Sequence, residues 1–264
     1  MKLRKNLKEK MKQLIFNTIN SLGYELKKKV PAQLKPKPFY SESEPFLTIT
    51  GKVGEFTMTS LERIQGLFLA INYVVENKIE GDFVECGVWR GGSSMVAALT
   101  FLSRGISNRQ FWMFDTFDGM GETTEFDITH EGYLANEILK RSDKNVARSY
   151  WCAAPLEDVQ TNMKSTGYPM EKIKFIQGKV EDTLLKEVPE KISVLRLDTD
   201  YYTSTKAELE ILYDRLVPGG VLILDDYGHW QGARKAVDEF FLERGNKPLF
   251  TFLDYAGILA IKPL

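Results

Sequence analysis

Two acidic clusters stand 27 residues apart, and each follows a run that reads as a buried strand. Ile192-Ser193-Val194-Leu195-Arg196-Leu197 runs into Asp198-Thr199-Asp200, and Gly219-Gly220-Val221-Leu222-Ile223-Leu224 runs into Asp225-Asp226. Carboxylates gathered at neighbouring strand ends repel, so they need a counter-charge or a shared proton. A hard divalent cation held by oxygen ligands is the simplest counter-charge. In an open α/β sheet the carboxyl ends of the strands are also where ligands bind.

A second constellation follows the first strand: Glu85-Cys86-Gly87-Val88-Trp89-Arg90-Gly91-Gly92-Ser93-Ser94. Glycines after a strand let backbone approach a ligand, and the helix beyond offers free N–H groups. The pattern is neither G-x-G-x-x-G nor a P-loop, which argues against a dinucleotide or nucleoside triphosphate site. The second strand ends at Asp115, placed to accept hydrogen bonds from the ribose hydroxyls of a nucleoside; Asp118 is a nearby alternative. After the third strand, Gly178-Lys179-Val180-Glu181-Asp182 is positioned to reach an adenine ring, or Glu181 and Asp182 cap the next helix. His130 and His229 are alternative proton acceptors, and Trp89, Tyr201, Tyr202, Tyr227 and Trp230 are candidate stacking surfaces or core.

The elements that must position these residues alternate along the chain. Strands are expected at 83–86, 110–114, 173–176, 192–197 and 221–224, with helices at 61–75, 93–102, 156–165, 205–216 and 232–243. Thr59-Ser60-Leu61-Glu62 offers a cap for the first of these helices. Runs at 249–253 and 257–261 close the sheet as an antiparallel hairpin. Alternation of this kind predicts α/β architecture, a mainly parallel seven-stranded sheet with helices on both faces. The stretch 119–155 breaks the rhythm and reads as a lid insertion at the carboxyl edge.

Residues 1–58 read as a separate segment: a basic amphipathic helix over 2–22, then a linker with Pro31, Pro36 and Pro38. Residues 1–38 hold eleven Lys or Arg against two Glu, although the whole chain has a net charge of -1. Binding of nucleic acid by the whole chain is therefore not expected. The basic helix packs on its own domain, joins a second subunit in a homo-oligomer, or lies on an anionic membrane face. Cys86 and Cys152 form no C-x-x-C pair, so zinc is not expected, and reduced thiols in a cytoplasmic protein are.

Glu85 to Gly92, Leu195 to Thr205 and Pro218 to Tyr227 together resemble the macrocin O-methyltransferase family of sugar O-methyltransferases. The resemblance runs from about Thr59 to Ala260. It implies a Rossmann-like class I methyltransferase fold over 59–264, S-adenosylmethionine as donor, bound Mg2+, and a glycosyl acceptor. It matches Asp198, Asp225 and Asp226 to the metal ligands and Asp200 to the general base. Under it, Glu85, Gly87, Val88, Ser93, Asp115, Gly178, Glu181, Asp182 and Asp198 contact the donor. The chain departs from the family at Thr199, where Gly is usual, and at Tyr201-Tyr202-Thr203, where Leu-Tyr-Glu is usual. These departures touch the acceptor wall. A metal-dependent hydrolase or phosphotransferase, or a non-catalytic nucleoside-binding module, would use the same acids.

Overall fold

The computed structural model describes residues 44–263, so the expected basic helix and proline linker lie outside the described residues. Strands β1 (Asp82–Cys86), β2 (Phe111–Asp115), β3 (Ile173–Gln177), β4 (Ile192–Leu197), β5 (Leu216–Leu224), β6 (Thr251–Phe252) and β7 (Ile258–Ile261) form one sheet. Their order is β3-β2-β1-β4-β5-β7-β6. The first five pair in parallel, and β7 runs antiparallel to both β5 and β6. The chain leaves β1 in one direction to β2 and β3, then returns past it to β4. The carboxyl ends of β1 and β4 therefore flank the crevice where such sheets take ligands.

Period-two alternation sorts the strands onto two faces. Val84, Cys86, Leu195, Leu197, Leu222 and Leu224 pack with Leu209 and Leu212 of α7 (Tyr202–Leu212) and with Val237 and Phe241 of α8 (Gln231–Arg244). The opposite face carries Phe83, Phe111, Val194 and Ile223 toward α2 (Leu61–Glu76) and α3 (Gly92–Ser103). The phenyl rings of Phe83 and Phe111 lie 4.9 Å apart, and Phe101 of α3 meets Phe111 edge-on. Glu85 and Arg196 share this second face and are register partners between β1 and β4. The same alternation that builds the core thus carries a charge pair into it.

The remaining helices are α1 (Phe46–Val53), α4 (Ala135–Arg141), α5 (Leu156–Ser165) and α6 (Val180–Thr183). Helix α1 lies ahead of the boundary expected at Thr59. Phe46, Ile49 and Val53 of α1 are buried, and Phe46 lies 5.3 Å from the ring of Phe68 on α2. Ser60 caps α2 as expected, its Oγ accepting from the Arg63 amide at 3.2 Å. Helix α7 starts at Tyr202 and ends at Leu212, earlier at both ends than the expected 205–216. A 3-10 turn, Tyr213–Arg215, and then β5 take over the chain beyond it.

Candidate active site

Gly87 follows β1 with φ of +81°, and a Cβ there would fall 1.9 Å from the carbonyl oxygen of Asp198. Only glycine lets the tips of β1 and β4 come this close. The turn continues through Trp89 and Gly91, both at positive φ, into α3. Asp115 holds this turn. Its Oδ2 accepts from the amides of Val88 at 2.6 Å and Trp89 at 3.0 Å, and its Oδ1 from Phe117 at 2.7 Å. The Thr116 hydroxyl is better directed to Gly119 O, at 2.7 Å, than to Oδ1, at 3.4 Å. One lone pair of Asp115 thus remains for a ligand hydroxyl. Burial raises the pKa of this carboxyl, and the amides oppose the rise.

These residues open on a cavity of about 860 Å³. Gly87, Val88, Ser93, Asp115, Gly178, Glu181 and Asp182 line one half, and Asp198, Asp200, Asp225 and Asp226 the other. Glu85, expected to contact the donor, is instead fully buried off the cavity wall, where it accepts from Ser94 Oγ and from Arg196 Nη1. Gly119–Thr124, Arg148–Tyr150 and Cys152 of the insertion also wall the cavity. The insertion is closed on itself by Met120 N to Trp151 O at 2.9 Å and tied to the body by His130 N to His229 O at 2.7 Å.

Arg196 is the hub of the acidic half. Nη1 donates to Glu85 at 2.7 Å and to Asp198 Oδ2 at 2.6 Å, while Nη2 bonds Asp225 Oδ1 and Thr59 Oγ1. Arg63 of α2 reaches the other oxygen of Asp225 and pairs with Asp254 at 2.9 Å. Burial works against the Arg63 charge, but Asp225, Asp226, Asp198 and Asp254 outweigh it and raise its pKa. Arg63 was not anticipated, because a single Arg in an amphipathic helix reads as surface. Alternation turns Arg196 inward opposite Glu85, its register partner on β1.

Two positive charges do not neutralise this cluster. Burial raises the carboxyls of Asp198 and Asp226, and mutual repulsion raises them further. Asp198 keeps 26% of its side-chain surface exposed, on the cavity wall. Asp200 is pushed up to about 7, first by burial and then by the charge of Asp198. It interacts with the side chain of Asp226, whose own carboxyl is raised by burial and then by the charge of Asp200. Trp230 Nε1 donates to Asp200 Oδ1 at 2.8 Å. The Asp200 backbone sits at φ of +68°, a left-handed conformation rare for a residue with a side chain.

Asp198, Asp225 and Asp226 each turn one carboxylate oxygen to a common point, all within 4.8 Å of one another. Oδ2 of Asp226 is buried and meets no donor among the described residues. An all-oxygen donor set with an unsatisfied buried acceptor fits a hard divalent cation. The Asp225 oxygens held by arginine each retain a second lone pair.

The other expected residues separate. His229 lines the cavity, with Nδ1 3.2 Å from Tyr255 Oη, and burial and His130 lower its pKa. His130 faces an adjoining smaller cavity. Trp89 and Tyr201 line the main cavity, whereas Tyr227 joins the core and Tyr202 packs on Phe126. Asp118 pairs with Lys144, and Lys179 with Glu122. Cys86 and Cys152 are free thiols. Two buried acids were missed. Asp127 accepts from the amides of Thr124 and Tyr202, anchoring the insertion to the start of α7. Glu208 accepts from Thr199 Oγ1 at 2.9 Å. Neither has a sequence signal, because both look like surface acids.

The family model described as Macrocin-O-methyltransferase (TylF) matches residues 7–260. An enzyme of Streptomyces olivaceus, 8-demethyl-8-(2,3-dimethoxy-alpha-L-rhamnosyl)-tetracenomycin-C 4'-O-methyltransferase, is 32% identical over 76% of this chain and 74% of its own. Demethyldecarbamoylnovobiocin O-methyltransferase of Streptomyces niveus is 30% identical over 70% of this chain and 67% of its own. The solved structure of the O-methyltransferase NovP superposes with a TM-score of 0.68 at 28% identity, covering 79% of this chain and 83% of that one. The Rossmann-like class I methyltransferase fold expected from the sequence is the fold observed.

Proposed function

Because this chain belongs to the macrocin O-methyltransferase family, we propose that its S-adenosylmethionine-dependent methyl transfer is directed to a sugar hydroxyl, with magnesium at the acidic cluster. The acceptor is the sugar of a glycoside, natural product or surface-polysaccharide precursor. One observation carries this reading: the glycine turn held by Asp115 and the acids Asp198, Asp200, Asp225 and Asp226 share one cavity. The rhamnosyl group in the name of the Streptomyces olivaceus relative supports a sugar acceptor.

The donor supplies a methyl group already activated on a sulfonium sulfur. Asp198, Asp225 and Asp226 would hold the cation, whose charge would lower the pKa of a hydroxyl bound beside it. Asp200 takes the hydroxyl proton as the oxygen–methyl bond forms and the methyl–sulfur bond breaks. Trp230 fixes the orientation of the accepting carboxylate. Asp115 holds the glycine turn open to the donor and keeps one lone pair for a ribose hydroxyl. Arg63 and Arg196 fix the acids so that they need not reorganise during the reaction. The insertion contributes Gly119–Thr124, Arg148–Tyr150 and Cys152 to the wall beside the donor. No helix among the described residues is long and apolar enough to cross a membrane. The eleven Lys and Arg of residues 1–38 favour an anionic surface, a membrane face or an acidic patch of a second subunit, as the partner of that segment.

Calorimetry with S-adenosylmethionine, followed by labelled-methyl transfer to nucleotide sugars, lipid-linked glycans and free glycosides, tests the proposal. Donor binding and label on a sugar hydroxyl are expected. Donor binding with label found only on non-sugar hydroxyls would overturn the acceptor class, and no donor binding would overturn the whole reading.

A further inference from the structure

The turn that carries Asp200 is pinned from below by a residue that the proposed chemistry does not use. Glu208, on α7, is 0% exposed and lies outside the cavity wall. Its Oε1 accepts from Thr199 Oγ1 at 2.9 Å, and its Oε2 is buried without a hydrogen-bond partner among the described residues. A buried carboxyl with an unsatisfied oxygen disfavours folding. The surrounding helix face is otherwise built from Ser204, Thr205, Leu209 and Leu212, and an apolar side chain would suit it better.

Thr199 is the residue that Glu208 holds, and it lies between Asp198 and Asp200. Its carbonyl oxygen accepts from Tyr201 N at 2.8 Å and from Ser204 Oγ at 3.3 Å. Its hydroxyl end is gripped by Glu208. The peptide plane that follows Thr199 and the Thr199 side chain are therefore both tied to α7 and the residue before it. The next residue, Asp200, sits at φ of +68°. Conformations of this kind persist only where the surroundings over-determine them. Trp230 holds the Asp200 carboxylate but not its backbone.

We propose that Glu208 is a positioning residue that, through the Thr199 hydroxyl, holds the Asp198–Asp200 turn so that Asp200 faces the acceptor hydroxyl. The proposal rests on Asp200 being the base. A residue touching the acid through one hydroxyl and no ligand acts on the rate of proton removal, not on donor affinity.

The test compares Glu208→Gln, Glu208→Leu, Thr199→Ser, Thr199→Val and the Leu/Val double variant in the full chain. Donor affinity is read by calorimetry, folding by thermal denaturation, and kcat and acceptor KM by labelled-methyl transfer. Gln and Ser keep the hydrogen bond and should stay within about 3-fold of wild-type kcat. Leu and Val should each lower kcat by about 10-fold or more, with donor Kd and acceptor KM nearly unchanged. The double variant should be no slower than the slower single, because both remove one interaction. Thr199→Val keeps the readout available should Glu208→Leu fail to fold. Wild-type kcat in a folded Thr199→Val or Glu208→Leu variant, or additive losses in the double variant, would overturn the proposal. Wild-type kcat in Asp200→Asn would instead remove the base reading on which it rests.

Discussion

The indole Nε1 of Trp230 donates a 2.8 Å hydrogen bond to Oδ1 of Asp200, joining the tip of β4 to the turn that follows β5. Trp230 N and His229 N both bond the Asp226 carbonyl, so the indole is anchored to the turn that carries Asp225 and Asp226. Trp230→Phe keeps an aromatic ring against Tyr201, which the indole meets edge-on at 5.5 Å, and removes the donor together with part of the buried ring. A hydrogen bond to a charged group contributes about 1.5–3 kcal/mol. Turnover should fall by about 10- to 100-fold, with donor affinity unchanged by calorimetry.

Asp200→Asn removes the proton acceptor but preserves its size and its bond to Trp230. General-base catalysis contributes about 10²- to 10⁴-fold, and kcat should drop within that range. Donor binding should persist, since the donor half of the cavity is built on Asp115 and the glycine turn. Single-turnover methyl transfer measures the loss; wild-type turnover would clear Asp200 of the role.

Much of this site was visible in the residues. The apolar runs before Asp198 and Asp225 could only be buried strands, and parallel strands bring their carboxyl ends together. What stayed hidden came from long-range pairing. Glu85 reads as a ligand contact beside a glycine turn, yet the pleat points it inward to Arg196. Helix α1 was concealed because Leu47, Thr48, Thr50 and Gly51 dilute a face carried by only Phe46, Ile49 and Val53. Strand β5 starts upstream of its apolar run, at Leu216, and passes Pro218 and the glycines where its register with β4 shifts.

Arg196 gives a prediction about stability. It is 2% exposed and bonds Glu85, Asp198 and Asp225. Breaking a buried ion pair from one side costs about 3–5 kcal/mol, because the remaining charge is stranded. Arg196→Met should lower the unfolding free energy by about that amount in urea. Combining it with Glu85→Gln should recover part of the loss, because one stranded acid becomes neutral.

Asp200 also makes the cation-free protein sensitive to pH. Its folded pKa of about 7 lies above the ordinary carboxylate value of about 4. The folded chain therefore binds this proton more tightly than the unfolded chain does. The associated stability is fully present below the ordinary value and is lost as pH rises toward the folded value. In chelator, wild type should lose stability relative to Asp200→Asn between about pH 4.5 and pH 7, then keep a constant offset below it. Urea denaturation at several pH values measures the difference. A constant difference across that window would contradict the placement of Asp200 in a buried acidic cluster.

The most direct measurement is labelled-methyl transfer from S-adenosylmethionine to the acceptor sugar before and after exhaustive chelation. The account predicts that transfer stops in chelator and returns when Mg2+ is added back, while Asp226→Asn stays inactive with or without the ion. Full transfer in chelator would contradict it.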